Sequence, residues 1–128
     1  MPRPRTLIVD DTPLNLKLLS ALLAANQFPI ATATSAEDAA ALLATEDYGL
    51  LLLDVRLPGI DGLALARQLR ADARHARLVI VAVTANAMKA DEAAALDAGC
   101  DAFVTKPINT RTLVATLDAL LASAPRLL

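Results

Sequence analysis

The sequence predicts an α/β domain in which helices cover both faces of a five-stranded parallel sheet. Short apolar segments alternate with segments of helical periodicity along the chain. The predicted strands begin roughly 20 to 28 residues apart, a spacing typical of repeated βα units. The third and fourth apolar segments lack the alternation of a strand with one exposed face, which indicates burial on both faces. The predicted sheet is therefore doubly wound.

Capping residues and glycines set the limits of the predicted elements. Thr12 followed by Pro13 is typical of a helix start, because threonine caps free N–H groups and proline fits the first turn. Ser35 three residues before Asp38 is similar to a capping box, and Gly99 suits the left-handed conformation that ends many helices. The predicted elements in chain order are a strand over Leu7–Val9, a helix from Pro13 to about Asn26, a less buried strand over Pro29–Thr34, a helix after Ser35 that ends at Gly49, a strand over Leu50–Leu53, a loop with Pro58, Gly59 and Gly62, a helix over Leu63–Ala71, a strand over Leu78–Val83, a helix over Ala87–Ala98, a strand over Ala102–Thr105 and a final helix capped by Asn109 or Thr110.

Length and composition predict one domain with a core over about residues 5–123. The 128 residues suffice for a hydrophobic core. A net charge of −2 and a pI of about 5.2 argue against a nucleic-acid partner, which usually requires a basic face. The one cysteine excludes an internal disulfide and is typical of a reducing compartment. We find no signal peptide and no apolar run long enough for a bilayer, so we expect a cytoplasmic domain without a membrane partner.

The single histidine and the single cysteine do not predict a metal site. His75 lies in a polar segment between Arg74 and Arg77, and we expect its side chain to be solvated. It has no cysteine or histidine partner at the spacing of a zinc site. Cys100 follows the Gly99 cap and is expected to be a structural thiol.

Polar side chains follow the ends of four predicted strands. Asp10 and Asp11 follow the first strand, and Asp54 follows the third. Thr84 follows the fourth strand and Lys106 the fifth. Ligands of open parallel sheets bind beyond the carboxyl ends of the strands, near the point where the strand order reverses. These five residues are therefore the candidate functional side chains.

The types of these side chains favour phosphoryl transfer with a divalent cation. Three carboxylates at one edge repel one another unless a cation joins them, and Mg²⁺ is the usual oxygen-bound ion in phosphate chemistry. The ammonium group of Lys106 suits a phosphoryl oxygen. A carboxylate can accept the phosphoryl group as an aspartyl phosphate. Asp54 is the best acceptor because its strand is central, whereas Asp10 and Asp11 suit metal binding.

Four motifs in this order resemble the receiver domain of two-component response regulators. The resemblance extends along nearly the whole chain, and it implies a single receiver domain over residues 1–128. It also implies a CheY-like, flavodoxin-like sheet with the strand order 2-1-3-4-5. The matching segments are Leu7–Asp11, Leu51–Gly62, Val83–Ala85 and Thr105–Pro107.

The resemblance implies a phosphoacceptor and a set of metal ligands. Asp54 would accept the phosphoryl group. Asp10 and Asp11 would bind Mg²⁺ together with Asp54 and the backbone carbonyl of Arg56.

The resemblance also implies a conformational switch beside the phosphoryl group. Thr84 and Lys106 would contact the phosphoryl oxygens, and the Lys106–Pro107 peptide bond would be cis. Phe103 corresponds to the aromatic residue of the family that turns inward when the threonine moves onto the phosphate.

Two further segments resemble particular receivers and indicate the partners. Asn15–Leu19 and Thr84–Lys89 are similar to single-domain regulators of the DivK type and to the receivers of hybrid histidine kinases. The implied phosphodonor is a histidine kinase or a histidine phosphotransfer protein, and the implied target is a downstream protein. We expect a signalling phosphoacceptor rather than an enzyme. We expect no output domain after the fifth helix. The chain is either a complete single-domain protein or a domain cut from a longer chain.

Three alternative functions are weaker. A phosphohydrolase of the haloacid dehalogenase type requires an acid two residues after the first-strand aspartate, where this chain has Thr12. A flavodoxin requires a hydroxyl-rich phosphate loop and aromatic residues beside the flavin, but the chain has no Trp and one Tyr. A receiver-like domain that acts without phosphorylation is disfavoured because all five candidate side chains are present.

Overall fold

The structure, a computed structural model, describes residues 3–57, 61–85 and 89–123. Strands and helices alternate through these residues, with one short 3₁₀ turn over Ala73–His75. In chain order the elements are β1 (Thr6–Val9), α1 (Pro13–Ala25), β2 (Ile30–Ala33), α2 (Ala36–Thr45), β3 (Leu50–Asp54), α3 (Gly62–Arg70), β4 (Val79–Thr84), α4 (Lys89–Asp97), β5 (Ala102–Thr105) and α5 (Leu113–Ser123).

The five strands form one parallel sheet with the order β2-β1-β3-β4-β5. In the register of the sheet, Asp54 lies opposite Val83, and Thr84 lies opposite Thr105. The carboxyl ends of the central strands therefore meet at one edge. The predicted five-stranded, doubly wound parallel sheet is confirmed.

Two apolar clusters cover the two faces of the sheet. Leu51 and Leu53 of β3 contribute to the cluster that contains buried residues of α2, α3 and α4. Leu50 and Leu52 of the same strand contribute to the cluster that contains buried residues of α1 and α5. Alternate side chains of β3 thus enter different cores, which explains its continuous apolar sequence. No helix within the described ranges has the length and apolar character needed to cross a membrane.

Several predicted caps are found in the structure. The Ser35 hydroxyl accepts a hydrogen bond from the Asp38 N–H at 3.1 Å, as an N-cap requires. Gly99 has a φ of 102° after α4, as predicted for a left-handed helix cap. Thr12 precedes α1 and Pro13 begins it, but the Thr12 side chain makes no capping hydrogen bond. The predicted start of α4 at Ala87 lies outside the described residues.

Other local predictions were wrong. The helix α2 ends at Thr45, before Gly49, and Gly49 leads directly into β3. The helix α5 begins at Leu113, later than a cap at Asn109 or Thr110 predicts, although the Asn109 side chain accepts the Arg111 N–H at 3.0 Å as a cap does. The His75 side chain is only 12% exposed, so it is not solvated.

A nearly buried ion pair between Arg70 and Asp101 lies at the amino ends of the strands, opposite the carboxyl ends. An Arg70 Nη lies 2.6 Å from an Asp101 Oδ, and their side chains are 13% and 14% exposed. The Arg70 guanidinium also donates to the carbonyl oxygens of Gly99 and His75, at 2.7 Å and 3.2 Å. The same Asp101 oxygen accepts the Ile80 N–H at 2.9 Å. This network fixes the end of α3 to the starts of β4 and β5.

We predict that Asp101→Ala lowers the free energy of unfolding by about 3 kcal/mol, because it leaves the Arg70 charge and the Ile80 N–H without this acceptor. Urea unfolding measures the effect. Asp97→Ala is the control, because Asp97 pairs with Arg67 at 3.4 Å and its side chain is 81% exposed. It should change stability by less than about 1 kcal/mol. Equal losses in the two variants would contradict the prediction.

Candidate functional site

Three carboxylates meet at the carboxyl edge of the sheet. Asp10 and Asp11 follow β1, and Asp54 is the last residue of the neighbouring strand β3. One carboxylate oxygen from each residue lies within 4.8 Å of the others. Asp10 is 2% exposed and Asp54 is 5% exposed, whereas Asp11 is exposed. This is the point where the strand order reverses, as expected for a ligand site in such a sheet.

Backbone N–H groups orient the two buried carboxylates in the same way. The Thr12 N–H donates to Asp10 Oδ1 at 2.9 Å, and the Arg56 N–H donates to Asp54 Oδ1 at 3.0 Å. In both cases the donor is two residues after the aspartate, which is the pattern of an Asx turn. Each turn therefore fixes one oxygen and leaves Oδ2 directed toward other partners.

Lys106 provides that partner for both aspartates. Its Nζ lies 3.2 Å from Asp10 Oδ2 and 3.1 Å from Asp54 Oδ2. The residue directly follows β5, and its backbone N–H donates to the Thr84 carbonyl oxygen at 2.7 Å. The peptide bond between Lys106 and Pro107 is cis. The sheet register thus places the ammonium group between two strands that are distant from it in sequence.

Burial and the contact between Asp54 and Lys106 shift the pKa values of these two residues in opposite directions. Burial raises the pKa of Asp54 above its ordinary value, against the opposing effects of the Arg56 N–H and Lys106, and the Asp10 charge raises it further. Burial lowers the pKa of Lys106, but hydrogen bonds to Asp54 and Asp10 outweigh it, so the net direction is upward. Lys106 is therefore an ammonium group at neutral pH, and among the described side chains it contacts two of the three clustered carboxylates. An oxygen-only donor set with surplus negative charge fits a hard divalent cation.

Thr84 and Phe103 lie on the neighbouring strands β4 and β5. Thr84 is the last residue of β4 and is buried. Phe103 lies opposite Ala82 in the register and packs, partly buried, against the core on the side of α2, α3 and α4. The structure thus brings Asp10, Asp11, Asp54, Thr84 and Lys106 to the carboxyl ends of the strands, and Phe103 lies two residues before the end of β5. The motif residues 58–60 and 86–88 lie outside the described residues.

Sequence reasoning missed one contact beside the site. It placed Gly62 in a loop, but Gly62 is the first residue of α3 and donates its N–H to the Val55 carbonyl oxygen at 3.1 Å. A Cβ at Gly62 would lie 2.2 Å from the carbonyl oxygen of Asp54. The available signal was a glycine, a poor helix former, three residues before the buried helical residue Leu65.

Comparison with known proteins assigns the family. The sequence profile of the response regulator receiver domain matches residues 6–118. This chain belongs to the receiver domain family. The resemblance predicted from four motifs is therefore confirmed, and the receiver domains of this family are the phosphoacceptors of two-component systems.

Relatives of this receiver domain include a longer regulator and a regulator of similar length. It is 40% identical over 116 residues to the transcriptional regulatory protein AruR of Pseudomonas aeruginosa, a match that covers 87% of this chain and 46% of AruR. This receiver domain therefore spans about half the length of AruR. It is 33% identical over 118 residues to the polar-differentiation response regulator DivK of Brucella ovis, covering 92% of this chain and 96% of DivK.

A solved receiver domain has the same fold. The receiver domain of the sensor histidine kinase PA1611 of Pseudomonas aeruginosa superposes with a TM-score of 0.86 at 29% identity, covering 94% of this chain and 99% of that one. Its crystal structure has a magnesium ion coordinated in the active site cleft. Both predicted kinds of relative, a DivK regulator and a histidine kinase receiver, are thus similar to this receiver domain.

We predict that Asp54→Asn is more stable than the wild type at about pH 7 without divalent cations, and that this difference shrinks toward about pH 4. Because the pKa of Asp54 is raised in the folded state, folded protein binds the proton more tightly than unfolded protein. Wild-type stability is therefore lost as pH rises from the unfolded-state pKa of about 3.9 through the raised folded-state pKa. Urea unfolding in a chelator at several pH values measures this.

Asp47→Asn is the control for that series, because the Asp47 side chain is 99% exposed. Its stability should follow the wild type at every pH. A stabilisation by Asp54→Asn that is larger at low pH than at neutral pH would contradict the prediction.

Proposed function

We propose that Asp54 of this receiver domain accepts a phosphoryl group from a phosphohistidine of a histidine kinase or histidine phosphotransfer protein, and that the modified domain signals to a downstream protein. The proposal depends on one observation. Asp54 is a buried carboxylate with Oδ1 held by the Arg56 N–H and Oδ2 beside the Lys106 ammonium. A carboxylate in this setting is a fixed nucleophile next to a cation that suits a phosphoryl oxygen.

The transfer forms one bond to phosphorus and breaks another. A carboxylate oxygen of Asp54 attacks the phosphorus, the bond between phosphorus and the histidine nitrogen breaks, and the histidine keeps that electron pair. The product is an aspartyl phosphate, and a neutral imidazole leaves when the second ring nitrogen of the phosphohistidine carries a proton. Such transfers depend on position and on neutralising charge at the phosphoryl oxygens. Lys106 and the Thr84 hydroxyl would contact those oxygens, so the domain assists its own phosphorylation and dephosphorylation without acting as an enzyme on another substrate.

The acidic residues fit a magnesium site. Asp10, Asp11 and Asp54, with the backbone carbonyl of Arg56, would hold the ion, and Mg²⁺ bound there would neutralise phosphoryl charge. The compact set of carboxylate oxygens supports this, as does the magnesium ion in the cleft of the similar PA1611 receiver domain. The Thr12 and Arg56 N–H groups keep the two buried carboxylates oriented toward that position.

The start of α1 supports a docking surface for the phosphodonor. Leu14 and Leu18 are 73% and 48% exposed, and they lie one turn apart on a helix that begins two residues after Asp11. Exposed apolar side chains beside a charged site favour a protein partner. A donor that covers this part of α1 would bring its phosphohistidine over the edge of the sheet to Asp54.

The signal to the downstream partner would travel through Thr84 and Phe103. Thr84 would move toward the phosphoryl group, and Phe103 would turn inward into the space that it leaves. Their positions on adjacent strands of the sheet support this coupling. The surface formed by α4, β5 and α5 would then differ between the two states, and a partner that binds one state better shifts the equilibrium.

We predict that acetyl phosphate with Mg²⁺ labels Asp54, and that Asp54→Asn removes the alkali-labile acyl phosphate. Asp11→Ala should slow labelling about tenfold, because it removes a proposed metal ligand. Mass mapping of the modified residue measures the first effect, and the rate of label incorporation measures the second.

Asp97→Asn is the matched control for this labelling, because Asp97 lies at the exposed end of α4. It should be labelled at the wild-type rate. Undiminished labelling of Asp54→Asn with the same alkali lability would contradict the assignment.

We predict that beryllofluoride, a phosphoryl mimic, with Mg²⁺ changes the backbone NMR shifts of Phe103, α4 and α5 as well as those of the acidic cluster. In Thr84→Ala the changes near Asp54 should persist while those at Phe103 are lost, because the proposed switch begins at the Thr84 hydroxyl. Changes confined to Asp10, Asp11 and Asp54 in the wild type would contradict the switch.

A further inference from the structure

Gly62 contacts the backbone of the proposed phosphoacceptor. A Cβ at this position would lie 2.2 Å from the Asp54 carbonyl oxygen and 3.0 Å from the Val55 Cα. Both atoms belong to the main chain, so no side-chain rotation can relieve the overlap. Gly62 does not have a left-handed φ, so its backbone conformation does not require glycine. Close approach to Asp54 is therefore the physical reason for glycine at the first position of α3.

Gly62 touches the segment Asp54–Arg56, and hydrogen bonds hold this segment on two sides. The Val55 N–H donates to the Val83 carbonyl oxygen of β4 at 3.0 Å, and the Val55 carbonyl accepts the Gly62 N–H at 3.1 Å. The next residue, Arg56, donates its N–H to Asp54 Oδ1. The turn that orients the Asp54 carboxylate is thus enclosed between β4 and the first residue of α3.

We infer that Gly62 is a positioning residue for phosphorylation of Asp54, because its contact with the Asp54–Arg56 turn sets the direction of the Asp54 carboxylate and of the Arg56 carbonyl. This inference rests on the proposed function of Asp54. A methyl group at residue 62 must push the turn or α3 by roughly 1 Å to restore normal van der Waals separation. A displacement of that size at a reacting group is enough to slow a reaction strongly.

The first test compares Gly62→Ala with Gly49→Ala, a matched control at the opposite end of β3. A Cβ at Gly49 would lie 2.6 Å from the Pro4 Cβ, so both changes introduce an overlap beside the same strand. At a temperature where both variants are folded, Gly62→Ala should bind Mg²⁺ about tenfold more weakly and react with acetyl phosphate about tenfold more slowly. Gly49→Ala should stay within about twofold of the wild type in both measurements.

The NMR signals of the metal-free protein separate a positioning role from a general loss of stability. Gly62→Ala should shift the amide signal of Arg56 and the carboxyl carbon signal of Asp54, whereas Gly49→Ala should shift neither. A folded Gly62→Ala with the wild-type Mg²⁺ affinity, reaction rate and signals would overturn the inference.

Hydrogen exchange in the wild type decides the question if Gly62→Ala does not fold. Coupling between two sites is reciprocal, so Mg²⁺ at the carboxylates must stabilise the Gly62 hydrogen bond if that bond supports the site. Saturating Mg²⁺ should slow exchange of the Gly62 amide about tenfold more than that of the Gly49 amide. The Gly49 N–H donates to the Arg5 carbonyl oxygen at 2.9 Å and provides the reference. Equal slowing of the two amides would overturn the inference.

Failure of the proposed function can be distinguished from failure of the inference about Gly62. A wild type that acetyl phosphate does not label on Asp54 contradicts the proposed function. The contact of Gly62 with the turn is then judged by the Arg56 amide signal of metal-free Gly62→Ala, where a shift supports the positioning contact and an unchanged signal overturns it.

Discussion

The burial of two carboxylates in a cluster of three is the constraint on which the arrangement of this site depends. Asp10 and Asp54 are buried within a few ångströms of each other and of Asp11, and burial together with the Asp10 charge raises the pKa of Asp54. Lys106 offsets part of this cost by contacting both buried aspartates. The remaining surplus of negative charge gives the edge a preference for a cation.

The fold maintains this unfavourable cluster because backbone groups fix its members. A parallel sheet buried on both faces brings β1 and β3 together with their carboxyl ends level, and the Thr12 and Arg56 N–H groups hold one oxygen of each buried aspartate. The pairing of β5 with β4 then places Lys106 across from them. Since these donors belong to the main chain, the orientation of both carboxylates depends on the turns after the strands more than on neighbouring side chains.

The sequence predicted the strand ends and failed where contacts distant in sequence decide the structure. Asp54 was predictable because a continuous apolar strand precedes it, and Lys106 because it closes the last strand. The end of α2 was misplaced because the chain after Thr45 turns into β3, where the Gly49 N–H donates to the Arg5 carbonyl oxygen at 2.9 Å, far away in sequence. Such a contact leaves no periodic signal. The polar neighbours Arg74 and Arg77 also gave no indication that the His75 side chain is only 12% exposed.

The two edges of the sheet differ in how completely their charges are matched. At the edge opposite the site, the guanidinium of Arg70 has a carboxylate and two carbonyl partners, and Asp101 also accepts a backbone N–H of β4. That network is complete without a ligand, so it holds the starts of β4 and β5 in place. At the carboxyl edge the charges are not balanced, and Thr84 and Lys106 stand at the ends of the same two strands. Neutralising the acidic cluster would therefore change forces at one end of β4 and β5 while the other end stays fixed. A local charge change could then move Thr84 and Phe103 without loosening the rest of the sheet.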